Sequence, residues 1–470
     1  MTQVKRIQIL AVAVAAVLAT ASAQAADAPT AAPAASPAAA SAPAAAAAPA
    51  PAANSFESAL MGGKVHFDFR YRFEDVDQQS FLRDAYASTL RTRLSYTTAE
   101  WYGLTAMLEA ANVTTLGQYD LYNSTTNGAL DRPVVADPRY TEINQAWLQY
   151  KYGSFTGIGG RQIINLDNQR FVGNVAWRQN DQTFDAVTLK LGAIPKTQLF
   201  YSWVGNVNRI YGPDNGHPII APTPANGYAT SGFPGNLESS TSLVNARIDL
   251  GAIGALTLFD YFMDFDPNTP YPASKTNNLS NDSYGFYYTG AYKFNDTVKA
   301  NWVGSWAHQT DYGQSTLDYD ADYYMIEGNL GVKNFALKVG YEVLGGNNPT
   351  KVAAGTPGFQ TPLATLHAFQ GWADMFLTTP TPGIEDFYAG GSATFGALTA
   401  QLVYHDFQTE ATASFGSYGN EWDASVGYKF GTRYEALVKY ANYNADGDVP
   451  AAYMQSLDTT KTWVQLVATF

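Results

Sequence analysis

From Lys64 to the last residue the chain repeats one unit: about ten residues alternating apolar and polar, then a connection that is by turns very short and long. A period of two sends successive side chains to opposite faces of a β-strand. In Lys64–Glu74, Val65, Phe67, Phe69, Tyr71 and Phe73 share one face, while Lys64, His66, Asp68, Arg70 and Arg72 share the other. Eighteen such runs are read, the first near 64–74, 88–98 and 101–113 and the last near 420–430, 433–443 and 459–470. The short connections include Thr98–Glu100, Gly153–Ser154, Lys333–Asn334 and Gly431–Thr432; the long ones include 114–142, 164–182, 208–241 and 345–384. This rhythm predicts an all-β fold, a transmembrane antiparallel up-and-down β-barrel of 18 strands with short periplasmic turns and long extracellular loops.

The apolar face reads as lipid-facing, because its well-defined stretches, such as Val298, Ala300, Trp302 and Trp306, carry essentially no charge. Tyr and Trp recur near strand ends, as at Trp101, Tyr102, Tyr150 and Tyr152, where an apolar ring with a polar tip suits a membrane interface. A water-soluble barrel or sandwich with those faces in a dry core is the competing reading. The last run, Thr459–Phe470, ends on an aromatic like the signal that the outer-membrane assembly machinery reads. The expected location is the bacterial outer membrane, with its lipid and the barrel-assembly machinery as partners.

Residues 1–25 read as a signal peptide: Lys5 and Arg6, an apolar run from Ile7 to Ala19, then small residues suited to cleavage. Residues 26–53 are almost only Ala, Pro, Ser and Thr and read as a disordered periplasmic tether, since nothing bulky is present to offset ordering entropy. Residues 54–470 form the barrel. Cysteine is absent, which excludes a disulfide framework and thiolate chemistry. A net charge of -13 argues against nucleic acid as a partner. Asp318, Asp320 and Asp322 have calcium-loop spacing, but Tyr323 stands where such a loop needs glycine. The five histidines show no metal spacing. No metal, cofactor or catalytic residue is expected.

The second face then lines a lumen. Sixteen basic residues fall on it, from Lys64 to Lys461, against about ten acids that include Asp68, Glu109, Asp260 and Asp264. Pairing of the first hairpin brings Arg70 and Arg72 alongside Arg91 and Arg93, four guanidiniums on one wall. They repel unless acids, water or a passing anion compensate. A charge ladder with Asp68 and Glu109 as counter-ions and an anion-selective wall are both consistent with this pattern.

Four segments, FDFRYRFEDVDQ, ASTLRTRLSYTT, VVADPRYTEINQAWLQY and INLDNQRFVGNVAWRQNDQTFDA, resemble the alginate export family, most clearly from Gly63 to Tyr211. The resemblance implies an eighteen-stranded barrel with an electropositive conduit for an anionic polyuronate. It also implies that Arg161, Asn165, Asp167, Asn168, Arg170 and Arg178 belong to the constriction. The Ala/Pro tether and the long Gly/Pro-rich loops near 212–236 and 345–383 depart from the family pattern. Such a conduit asks for a wide, hydrated lumen with weak repeated contacts. The expected function is passage of an anionic polysaccharide or oligouronate, with periplasmic secretion partners; the alternatives are a general or nutrient-uptake porin and a barrel enzyme using His66 or His405.

Overall fold

A computed structural model describes residues 54–212, 235–266, 279–315, 317–346, 358–411, 415–451 and 453–470. The signal peptide and the tether lie outside the described residues. A short helix, α1 (Phe56–Met61), precedes β1 (Lys64–Gln78), β2 (Ala85–Thr97), β3 (Leu104–Thr115), β4 (Tyr140–Tyr152), β5 (Phe155–Gln162) and β6 (Thr183–Leu191). There follow β7 (Thr197–Asn208), β8 (Asn236–Asp249), β9 (Ala255–Met263), β10 (Asn281–Lys293), β11 (Val298–Asp311) and β12 (Asp320–Val332). The last are β13 (Phe335–Leu344), β14 (Ile384–Phe395), β15 (Leu398–Gln408), β16 (Ser417–Phe430), β17 (Tyr434–Ala445) and β18 (Thr459–Thr469).

Each strand pairs antiparallel with its sequence neighbours, and β1 also pairs with β18, which closes one 18-stranded sheet. Closure removes every sheet edge, so backbone N–H and C=O groups are satisfied within the membrane. The predicted architecture is thus observed. Tight turns carry residues that adopt left-handed backbone: Gly153 has φ 57 in the turn between β4 and β5, while the β12–β13 turn uses Lys333 at φ 54.

Several strands run further at the loop end than their alternation suggests. β1 continues to Gln78 and β8 begins at Asn236, because polar residues there stay paired above the apolar band. The outward face is accordingly less uniform than expected. On β9, Asp260 shares the outward parity of Leu258, which is 47% exposed, so it does not line the lumen. Asp282, His308 and Asp322 stand on the same outer surface of β10–β12, where His308 Nδ1 lies 3.0 Å from Asp322 Oδ1. Charge is excluded from the middle of the outer face, not from its loop-side rim.

Candidate functional site

The β5–β6 loop, residues 163–182, does not stay at the barrel mouth; it crosses the lumen and returns. Near its tip, Asp167 accepts hydrogen bonds from Asn245 Nδ2 on β8 (3.2 Å) and Thr257 Oγ1 on β9 (2.9 Å), and Asn168 Nδ2 points at Met325 Sδ on β12. Arg170 then reaches β13, where its Nε donates to Glu342 Oε1 at 2.7 Å. Phe171 enters a nest of Phe259, Tyr323 and Phe359 with ring centroids 4.9–6.0 Å away. On the way back Trp177 meets Trp463 of β18, and Arg178 pairs with Glu74 of β1 at 3.1 Å. Asp167, Gln169 and Val175 all hold positive φ, which lets so short a segment reverse direction inside the barrel.

The β13–β14 loop, residues 345–383, folds in beside it. Val172 and Leu363 form a parallel bridge, Gly173 N donates to Leu363 O at 2.9 Å, and Thr365 N donates to Gln169 O at 3.0 Å. A Cβ on Gly173 would lie 2.3 Å from Thr365 Oγ1, so the loops approach as closely as they do only because that residue is glycine. Two consecutive amides, Trp372 N and Ala373 N, dock on Asp423 and Glu421 of β16 at 3.1 and 2.6 Å. Phe376 fills the space between Phe407, Tyr418 and Tyr443.

The loop-side half of the lumen is therefore a packed interior, not the wide, hydrated conduit expected, and the described part of the 345–383 loop folds inward from the loop-side rim. The physical reason is composition. Phe171, Val172, Trp177, Phe359, Leu363, Trp372 and Phe376 become buried by turning inward.

The first-hairpin arginines hold this plug. Arg70 and Arg91 are direct register partners, as expected, yet Arg70, Arg72 and Arg91 are 1–2% exposed. Their compensation comes from the wall and the inserted loop. Arg91 pairs with Asp68, and Arg93 pairs with Asp181 of the β5–β6 loop at 2.8 Å. Arg70 donates to Gln179 Oε1 (2.9 Å), to Ala176 O (2.8 Å) and to Arg178 O. Arg72 donates to Gln465 Oε1 at 2.7 Å and stacks over Trp177 at 4.0 Å. Glu109 accepts from Asn144 and Gln145 instead of an arginine.

One buried node joins both loops to three strands. His367 donates its Nδ1–H to Asp374 Oδ1 at 2.7 Å, and its Nε2 accepts from Lys439 Nζ of β17 at 2.8 Å, which defines the tautomer. Trp177 stacks on the imidazole at 4.4 Å. The Lys439 ammonium lies 3.7 Å from the Trp372 ring centroid and 4.0 Å from that of Trp177. Asp374 also accepts from Arg178 (3.0 Å) and Lys461 (2.8 Å). Burial pushes the His367 ring well below its ordinary value and Lys439 adds to this, outweighing Asp374. Burial alone would raise the Asp374 carboxyl, but His367, Lys461 and Arg178 hold it well below the usual carboxylate range.

Arg161 and Asn165 stand apart from that node. Arg161 pairs with Asp185 at 2.7 Å and donates to Ile143 O at 3.1 Å. Asp185 stands at a register shift of β6 against β7, and Arg161 lies beside a cavity of about 400 Å³ shared with Glu142, Asn206 and Asn208; Glu142 pairs in register with Ala111, on the face of Arg93. Gly157, Gly159 and Gly160 leave β5 without alternation, and Gly160 holds φ 120 immediately before Arg161. Asn165 Oδ1 accepts from Asn174 N at 2.8 Å and braces its own loop. Sequence reasoning places Glu342 on the lumen face but does not single out His367, Asp374 or Trp177 as site residues. The visible signal was the run Leu366–Phe376, too apolar for a solvated loop.

The turn-side half of the lumen differs. By strand parity Lys151, Lys190, Arg247, Lys299 and Lys429 point inward there, with Lys333 at the adjoining turn and Asp249 and Glu435 as lumenal acids. Among the described residues, none of these six cations has a carboxylate in ion-pairing reach.

Residues 63–203 match the model of the alginate export family. No curated protein sequence matches the chain. Among solved structures, Acinetobacter baumannii OccAB2 is similar with a TM-score of 0.64 at 15% identity, over 88% of this chain and 99% of that one. The Pseudomonas aeruginosa outer membrane protein OpdK is similar with a TM-score of 0.61 at 12% identity, over 87% and 99%. A structure of OpdK with vanillate gives 0.60 at 11% identity over the same shares.

Proposed function

We propose, from the premise that residues 63–203 of this outer-membrane barrel carry the alginate export pattern, that the protein is a channel for short carboxylate-bearing saccharides of oligouronate size. The observation that carries this reading is the contrast between the two lumen halves. Five inward cations, with Lys333 at the adjoining turn, have no ionic partner among the described residues in the periplasmic half, and two interlocked loops narrow the extracellular half. Unneutralised ammonium and guanidinium groups in a confined aqueous space raise the local concentration of anions. The loops set an upper size, since a polymer has no room to pass while Phe171, Trp177 and Phe376 are packed.

Planar-bilayer reversal potentials test the charge. The wild type is expected to prefer anions, and replacing Lys151, Lys190 and Arg247 together by Gln is expected to remove most of that preference; cation selectivity in the wild type would refute the reading. Liposome swelling with uronates of increasing length tests the size. Short uronates should enter faster than neutral sugars of the same length, with a steep fall as length grows.

A second reading, export of full-length polyuronate, is favoured by the family match and requires both loops to leave the lumen. Length-independent passage would support it. The neighbour solved with vanillate makes an aromatic carboxylate a useful third probe, one that separates a general carboxylate channel from a saccharide channel.

A further inference from the structure

The helix α1 is placed where neither the barrel nor the channel needs it. Its first turn is closed by a capping box in which Ser58 N donates to Ser55 Oγ (3.1 Å) and Ser55 N donates to Ser58 Oγ (2.9 Å). Six residues do not hold a helix alone in water, so something outside it must contribute. Part of that support is visible. Ala59 is buried, Ala99 N donates to Ala59 O at 3.0 Å, the Tyr96 hydroxyl donates to Leu60 O, and Phe56 meets Trp101 edge-on at 5.5 Å.

Those contacts fix which side of the rim the helix occupies. Tyr96 belongs to the outward set of β2, with Leu94, which is 45% exposed. Thus α1 lies against the outer surface of the turn-side rim, not beneath the lumen. What it leaves uncovered is apolar: Phe56 is 59% exposed, Leu60 43% and Met61 82%, beside Tyr102 at 78% and Val65 at 55%. Phe56 and Leu60, four residues apart, share one stripe, and Met61 stands at its end. The patch is continuous with the lipid-facing band of β1 and β2 and with the aromatic residues at its lower edge.

We propose that α1 is an interfacial foot, its apolar side seated at the boundary between headgroups and acyl chains of the periplasmic leaflet, with phospholipid as its partner. A short apolar stripe bordered by Glu57 and Ser58 suits that boundary, where rings and methyl groups are buried and a carboxylate stays among headgroups. The consequence concerns the channel mouth. Residue 54 then stands at the lipid side of the rim.

The cysteine-free sequence makes the test direct. Nitroxide labels are placed on Leu60→Cys and Met61→Cys, with Leu337→Cys as a lipid-facing reference and Asn295→Cys as a water-facing one, in full-length protein in phospholipid vesicles. Heat-modifiable migration confirms that each variant is a folded barrel. Collision rates with oxygen at both helix positions are expected to approach those at Leu337→Cys, and collisions with a water-soluble nickel chelate to fall several-fold below those at Asn295→Cys. Chelate collisions equal to Asn295→Cys would place the helix in water and overturn the proposal. Low collision rates with both reagents would show a protein cover and overturn it equally.

Discussion

At the scale of single residues the lumen is governed by buried charges that each have more than one task. Arg178 bridges Glu74 of the wall and Asp374 of the second loop, and burial, which would lower its affinity for a proton, is outweighed by those carboxylates. Removing one partner of such a network leaves uncompensated charge, at a cost of about 3–5 kcal/mol. Arg178→Ala is therefore expected to loosen both loops and raise single-channel conductance, while the barrel itself still folds; unchanged conductance together with unchanged protease resistance of residues 358–383 would contradict this.

His367 makes a pH-dependent prediction whose sign follows from its surroundings. The docked ring is neutral, faced by Asp374 on its own loop, Lys439 on β17, Arg178 on the other loop and, through Asp374, Lys461 on β18. An undocked ring would titrate near its ordinary value of about 6.5. Above that pH neither state takes up a proton and docking is at full strength. Below it the undocked loop gains a proton that the docked one refuses, so docking weakens as pH falls. Asp374, depressed in the docked state, gives its contribution up only at still lower pH. Protection factors of the amides in residues 358–383, taken relative to intrinsic exchange at each pH, should fall between pH 7 and 5 in the wild type, and less so in His367→Gln.

At the scale of elements, the two inserted loops behave as one body because each supplies backbone partners to the other. Gly173 is the contact point where a side chain cannot be inserted without moving Thr365. Gly173→Val should cost about 1–3 kcal/mol of loop docking and give channels that flicker between conductance levels. Deleting residues 359–379 should raise conductance several-fold and abolish the size cut-off in liposome swelling. Persistence of the cut-off would place the constriction elsewhere.

At the scale of the whole molecule, the barrel is a closed sheet with two unlike solvents. Ile326, 66% exposed and near the middle of β12, faces lipid. Ile326→Arg should destabilise the barrel by about 2–4 kcal/mol, measurable as a shift in urea-induced unfolding in vesicles, whereas Asn301→Arg on the lumen side of β11 should shift it little. The loop-side charges on the outer face, Asp260, Asp282 and Asp322, bound the lipid band from above as α1 and its aromatic neighbours do from below.

The sequence by itself determined the barrel, because a period of two and a strict alternation of short and long connections are local facts that each strand declares separately. Strand number, pairing order and the pairing of Arg70 with Arg91 all follow from local pattern and turn length. It misled where locality fails. β5 is too rich in glycine to show a face, so its pattern does not locate the Arg161 side chain. Asp260 counts as lumenal on sequence, yet β9 carries it on the face of Leu258. For the β5–β6 loop the family resemblance implies a place in the constriction, but the packing of either loop is not legible in the sequence, since whether Phe171 or Trp372 turns into the barrel or away from it depends on the wall opposite, contributed by β1, β13, β16 and β18. Only the tertiary structure decided that the arginines clamp a plug, because their partners, from Gln179 to Asp374, come from segments that sequence order keeps far apart.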